Sequence, residues 1–420
     1  MGTTSTRERL VVIGNGMAAG RTLEELCARA PGRYQITVFG AEPRVNYDRI
    51  QLSPVLAGEK RFEDIVIHDE AWYATNGIRL VRGERVVTID RDARTVTTDK
   101  GTVAAYDRLI VATGSDPFVI PVPGKDLPGV VTFRDLDDVE AMLKAAAAGG
   151  RAVVIGGGLL GLEAAAGLRL KGMTVSVVHL MPTLMERQLD RAAGRMLEAA
   201  LEGRGISVLT AANTKAILGE TSVTGVELAD GRVIPADLVV MAVGIRPATG
   251  LARAAGLQVE RGIVVDDHMT TSDPAVFAVG ECAQHRGVCY GLVAPLYEMG
   301  RVLAAHLAGE AAIYTGSVTA TKLKVTGIDL YSAGDFAEEG DRDEIVLEDP
   351  VRGIYKRLVL DGDRLVGAVL YGETGEGGWL FDMVKKGSDV GAIRDRLMFG
   401  PALQGAGPLE PYGGRCSLAG

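Results

Sequence analysis

Leu10-Val11-Val12-Ile13-Gly14-Asn15-Gly16-Met17-Ala18-Ala19-Gly20 and Ala152-Val153-Val154-Ile155-Gly156-Gly157-Gly158-Leu159-Leu160-Gly161 repeat one design about 140 residues apart. Each opens on a short apolar run of buried-strand type, turns on GxGxxA or GxGxxG, and continues into an Ala/Leu-rich helical pattern. A second β-rich run then follows, Gln35 to Phe39 in the first copy and Thr174 to Val178 in the other. Such a β-α-β unit lets backbone N–H groups approach a diphosphate while the helix presents its positive end to that charge. Gly14, Gly16, Met17 and Ala18 are therefore candidate phosphate-binding residues of one site, and Gly156, Gly158, Leu159, Leu160 and Gly161 of a second. One glycine turn also occurs in plain helix-strand packing. Two, each with a strand before and a helix after, point to two dinucleotide ligands.

At 420 residues the chain exceeds one ordinary hydrophobic core, so two or three domains are expected. With 47% hydrophobic, 24% charged and only 5% aromatic residues, the composition is that of an aliphatic protein built on parallel sheets. A formal charge of -9 gives no basic footprint for nucleic acid or an anionic membrane. Four cysteines, Cys27, Cys282, Cys289 and Cys416, are too few and scattered for a disulfide framework, which fits a reducing, cytoplasmic setting. The N-terminus carries no leader pattern, and no apolar stretch of roughly 18 residues follows, so secretion and membrane spanning are disfavoured.

The breaks in pattern divide the chain. Asp116-Pro117, Pro121-Val122-Pro123-Gly124 and Pro128-Gly129 cannot continue a helix or a central strand, and Ile245-Arg246-Pro247 ends the buried strand Val239 to Gly244. After about residue 320 alternating runs predict antiparallel strands, two of them joined by Asp361-Gly362-Asp363. The expected fold is α/β: two Rossmann-like dinucleotide-binding domains and a small C-terminal α+β domain. Its parts are 1–118 with 247–318, then 119–246, then 319–403, with 404–420 a Gly/Pro-rich tail.

Tyr106 to Ser115, with Thr113-Gly114 at the end of its strand, and Thr271 to Glu281, ending in Gly280-Glu281, resemble the return strands of two-dinucleotide flavoproteins of the glutathione reductase and ferredoxin reductase type. The resemblance implies non-covalent FAD on residues before about 118 and after about 247, with a nicotinamide domain between. It places Thr113 and Gly114 against the FAD and gives Gly280-Glu281 the ribityl chain, although Glu281 stands where Asp is usual. Glu42 falls near the spacing expected for an acid on the FAD ribose, or is an exposed loop acid. At the equivalent place in the nicotinamide unit stands His179, either a ligand contact or a structural histidine; Gly244 closes the matching return strand. The lack of a neighbouring arginine favours NADH over NADPH, with Arg187 keeping the question open.

Further strings resemble a narrower group, the FAD-containing N-terminal half of the assimilatory NAD(P)H nitrite reductase large subunit and the electron-transfer subunit of assimilatory nitrate reductase. They include Asn46 to Ser53, Val178 to Glu186, Gly280 to Ala283, Tyr290 to Glu298 and Leu323 to Asp335. The resemblance implies catalytic Glu163 near the nicotinamide and flavin rings, Arg49 beside the flavin, and Tyr297 with Pro295 and Leu296 on its far side. Glu163 is otherwise a helix acid favoured by the dipole. The implied acceptor is an iron-sulfur and sirohaem nitrite reductase, a molybdenum nitrate reductase component, or a small iron-sulfur protein. Family members continue into modules with clustered cysteines; no such cluster stands here and no metal ligands are expected, so the chain reads as a separate reductase subunit or a fragment. A rubredoxin or ferredoxin reductase is the alternative. Asn46 to Gln51 contains no cysteine, which disfavours a disulfide reductase. A non-enzymatic, NAD-sensing flavoprotein predicts a bound chromophore without reductase activity.

Overall fold

The computed structural model describes residues 7–325, 327–337 and 341–401, and it divides into two compact units, Met1–Leu184 with Glu198–Thr319, and Met185–Leu197 with Ala320–Gly420. Residues 404–420, read as a tail, lie outside the described residues.

The first unit holds two five-stranded parallel sheets on one plan. In one the order is Val276–Ala278, Arg108–Val111, Glu8–Ile13, Tyr34–Gly40, Arg79–Arg82. In the other it is Val130–Thr132, Leu238–Met241, Arg151–Ile155, Thr174–Val178, Ile206–Leu209. In both, the strand entering the glycine turn is central, between the strand that follows the turn helix and a return strand. Leu10, Val12, Val153 and Val154 are fully buried, as strands covered on both faces require. Each sheet also carries a three-stranded antiparallel meander placed just before its return strand: Val86–Asp90, Thr95–Thr98 and Val103–Ala105 in the first, Thr214–Gly219, Val223–Leu228 and Val233–Pro235 in the second.

The two proline-marked breaks meet in space. Ser115–Pro117 pairs antiparallel with Ile245–Pro247, so the chain leaves one sheet and returns to it through a two-stranded ribbon. Pro117 and Pro247 sit at its ends, where a missing N–H costs little.

The second unit is an antiparallel sheet ordered Ala320–Val325, Ile328–Gly334, Arg364–Tyr371, Ile354–Asp361, Asp343–Asp349, with the helix Gly377–Lys386 packed on it. The turn expected at residues 361–363 joins two of these strands. Met185–Leu197, which the sequence placed within 119–246, clusters with this sheet. The cause is Asp190: its Oδ1 accepts the Ala193 N–H at 2.9 Å, and its Oδ2 accepts the Tyr355 hydroxyl at 2.6 Å and lies 3.6 Å from the Arg357 guanidinium.

Candidate functional site

The two glycine turns have the same backbone wiring. Gly14 N–H donates to Phe39 O and Gly156 N–H to Val178 O, each at 2.8 Å; Ala112 N–H donates to Ile13 O and Ala242 N–H to Ile155 O, again at 2.8 Å. Gly14 and Gly156 stand at φ +107 and +121, and a Cβ there would lie 2.1 Å from Ala112 O or 2.2 Å from Ala242 O. Only glycine fits. Gly16 and Gly158 are the N-caps of the helices Met17–Arg29 and Leu159–Leu170, both in extended conformation, with no side-chain cap and no acid in the first turn. Nothing lies within 4 Å of where their Cβ atoms would be. Each helix thus presents uncapped N–H groups and its positive end to open space, an arrangement that fits a diphosphate. Gly161 packs its helix onto the turn, since a Cβ there would meet Gly156 O at 2.0 Å. Met17, Leu159 and Leu160 begin the helices, and Ala18 touches Gly280, whose Cβ would come 3.0 Å from it.

The return strands mirror one another as well. Ala248 N–H donates to Gly114 O and Phe118 N–H to Gly244 O, both at 2.9 Å, while Thr113 Oγ1 donates to Ala248 O at 2.8 Å. The ATG turn is thereby tied to the ribbon between the sheets.

Around the first turn the acidic candidates are joined through arginines. Glu42 accepts the Tyr47 hydroxyl at 2.6 Å on one oxygen and the Arg49 guanidinium on the other; Arg49 also donates to Arg134 O at 2.9 Å and lies over the Tyr47 ring. Arg134 in turn pairs with Glu281, which also accepts Ser115 Oγ at 2.7 Å. A polar frame therefore runs from Glu42 to Glu281, bringing together Glu42, Arg49, Gly280 and Glu281. Sequence reasoning missed Arg134, which sits 147 residues from its partner and belongs to no motif. Pro295, Leu296 and Tyr297 lie in the first turns of the helix Val293–Ala308, and Tyr297 faces the Arg21 guanidinium at 5.9 Å.

His179 is buried, and its Nδ1 accepts the Gly157 N–H at 3.0 Å. Its ring is thereby tied to the second glycine turn. Glu163 is in the second turn of its helix, half-buried, and accepts the hydroxyl of Ser53. Burial pushes its carboxyl up to about 7 against the opposing pull of that hydrogen bond. Ser53 is the second residue of the short helix Leu52–Ala57, whose Leu56 fits over Gly167. Because a Cβ at Gly167 would stand 2.8 Å from Leu56, Gly167→Ala is expected to cost about 1 to 3 kcal/mol, read as a lowered unfolding midpoint.

Cys282 is buried, its Sγ against Val111 O and Val279 O. Among the described residues no group of three or more His, Cys, Asp or Glu side chains could hold a metal ion. No helix among them is long and apolar enough to cross a membrane.

Two parallel sheets with matched glycine turns, bridged by an antiparallel ribbon, define a two-dinucleotide oxidoreductase. The chain belongs to the pyridine nucleotide-disulphide oxidoreductase family, which it matches over residues 8–312, and its C-terminal sheet matches the rubredoxin NAD+ reductase C-terminal domain over 320–388. It is 50% identical over 402 residues to the nitrite reductase [NAD(P)H] of Bacillus subtilis, covering 96% of this chain and 50% of that protein. It is 44% identical to the assimilatory nitrate reductase electron transfer subunit of the same organism, covering 93% of this chain and 51% of that one. The chain spans about half the length of the curated relatives it matches. Among solved structures, putidaredoxin reductase in its covalent complex with putidaredoxin superposes with a TM-score of 0.83 at 29% identity, covering 92% of this chain and 94% of that one.

Proposed function

We infer that the chain seats FAD on the first glycine turn and NADH or NADPH on the second, and relays electrons from the nicotinamide to a separate redox partner in nitrite or nitrate reduction. The observation that carries this reading is the identical wiring of the two turns, at Gly14 and Gly156, each opening onto an uncapped helix end at the carboxyl edge of a parallel sheet. Ligands of open α/β sheets bind at that edge. The FAD half comprises 1–118 and 247–318, the nicotinamide half 119–246 without Met185–Leu197, and the small third domain 319–403 together with that segment. Bound there, the coenzymes supply the hydride donor, the acceptor and the capacity to release electrons one at a time.

The residues hold and orient. The N–H groups at Gly16–Ala18 and Gly158–Leu160 grip the diphosphates, with Gly161 setting the helix close. Glu42 and Glu281, positioned by Arg49 and Arg134, offer carboxylate oxygens to the ribose and ribityl hydroxyls, while Thr113, Gly114 and Gly244 line the strand ends. Pro295, Leu296 and Tyr297 cover the flavin's far side and help keep water out, and His179 braces the second turn beneath the nucleotide. The relatives support a part in nitrite or nitrate reduction; an iron-sulfur, sirohaem or molybdenum protein is the acceptor that the sequence resemblance implies. The match of residues 320–388 to the rubredoxin reductase domain supports a second reading, in which the acceptor is a rubredoxin or ferredoxin.

Anaerobic titration distinguishes them. NADH or NADPH is expected to bleach the visible flavin absorbance, which then recovers on adding the true acceptor. Protein that binds no flavin, or flavin bleached by neither nucleotide, ends this reading.

A further inference from the structure

We propose that Ser53 is a positioning residue that holds the Glu163 carboxyl as a proton-switched counter-charge, so that the ionised pair recognises the cationic, oxidised nicotinamide. The inference rests on the coenzyme reading above and adds a residue and a ligand state to it.

The geometry places the pair at the junction of the two halves. Ser53 lies on the helix Leu52–Ala57 of the proposed FAD half and Glu163 on the helix Leu159–Leu170 of the proposed nicotinamide half. The two helices dock directly, Ser53 on Glu163 and, one turn along, Leu56 on Gly167. If each coenzyme is seated on its own glycine turn, their reactive rings must meet where the two halves touch. At the far end of the junction Lys171 Nζ lies against Gly58, eight residues along the helix from Glu163; the carboxyl itself is offered a hydroxyl, which favours the ionised form through a hydrogen bond while adding no charge.

The surroundings leave the charge of Glu163 unneutralised. Among the described residues the helix Leu52–Ala57 and the strands Thr174–Val178, Ile206–Leu209 and Leu238–Met241, all packed on the Glu163 helix or its sheet, contribute no ionisable side chain. On the neighbouring helix Leu136–Ala148, Asp137 and Glu140 are paired with Arg44, Asp138 accepts Thr132 Oγ1 and Arg134 N–H, and Lys144 is exposed. Arg151, on the strand entering the turn, is held by Asp237, and Arg169, on the Glu163 helix itself, donates to Arg204 O. The carboxyl titrates near neutrality because burial outweighs the Ser53 hydrogen bond. Above that pH a carboxylate faces the ring site; below it, a neutral acid does. A nicotinamide that has given up a hydride carries one positive charge and NADH carries none at the ring, so only the oxidised form gains from the carboxylate.

The test uses the purified full-length chain and NAD+ as the probe. Carbon-13 NMR of the Glu163 carboxyl is expected to show a midpoint near 7, and Ser53→Ala to raise it by about one pH unit, with Ser53→Thr restoring it. Calorimetric NAD+ affinity is expected to fall roughly tenfold from the basic to the acidic side of that midpoint, and Glu163→Gln to flatten it at the acidic value. A Glu163 midpoint in the ordinary carboxylate range, one that ignores Ser53→Ala, or NAD+ affinity independent of pH overturns the proposal. NADH bleaching the flavin while Glu163 titrates normally overturns the pair alone, whereas a flavin bleached by neither nucleotide overturns the coenzyme reading.

Discussion

Gly158→Ala is expected to leave the fold intact and to weaken nicotinamide nucleotide binding by roughly 10- to 100-fold, the worth of one or two charge-assisted hydrogen bonds. Gly158 has an ordinary extended backbone at φ -84 and empty space around its missing Cβ, so alanine meets no protein atom. Its cost to stability is within about 1 kcal/mol: alanine is a poorer N-cap than glycine by about that amount, and at this compatible backbone the lower entropy of the unfolded chain offsets part of it. The methyl group instead occupies the place from which a phosphate must approach the helix end. Gly16→Ala repeats the effect for the flavin. The contrast is Gly156→Ala, where positive φ costs about 1 to 3 kcal/mol and the 2.2 Å approach to Ala242 O forces the strands apart at a similar cost. Thermal unfolding should therefore separate positions 156 and 158, and calorimetry should show nucleotide binding lost at 158 in a folded protein. Undiminished NADH affinity in folded Gly158→Ala would remove the second site from the account.

This contrast also shows what the sequence alone discloses. The strand–glycine–helix segments were legible because burial on both sheet faces enforces unbroken aliphatic runs, and because a carbonyl packed where a Cβ would go leaves glycine alone tolerable at 14 and 156. The ribbon between the sheets was half legible: prolines at 117 and 247 marked both breaks, but nothing local said that they pair with each other. The meanders before each return strand went unread, since short half-exposed strands such as Val103–Ala105 carry weak periodicity. Contacts within the site were harder still. Arg134 reaches Glu281 across 147 residues and Ser53 reaches Glu163 across 110, pairings set by how sheets and helices dock. Spacing picked out Glu42, and a resemblance Arg49 and Glu281, as separate candidates; only the structure joins them into one frame.

The placement of Met185–Leu197 leads to the second large effect. Asp190→Ala is expected to destabilise the C-terminal unit by about 3 to 5 kcal/mol, although residue 190 precedes that unit's sheet by some 130 residues. The carboxylate does three jobs: Oδ1 caps the helix Arg191–Glu202, while Oδ2 accepts the Tyr355 hydroxyl and faces Arg357. Losing the cap costs about 1 kcal/mol. The Tyr355 hydroxyl, left buried without this acceptor, adds about 1 to 3 kcal/mol. Arg357 keeps Glu344 and Phe336 O, so its share is smaller than that of a fully stranded cation. Asp190→Asn keeps one acceptor, which serves the cap, while its NH2 replaces the oxygen that Tyr355 and Arg357 face, so it is expected to recover only the cap's share of the loss, about 1 kcal/mol. Urea unfolding followed by the fluorescence of Trp379, which lies on the helix packed against this sheet, reads the unit directly. An Asp190→Ala midpoint indistinguishable from the parent would mean that the sheet stands without the segment, and that Asp190 serves its own helix alone.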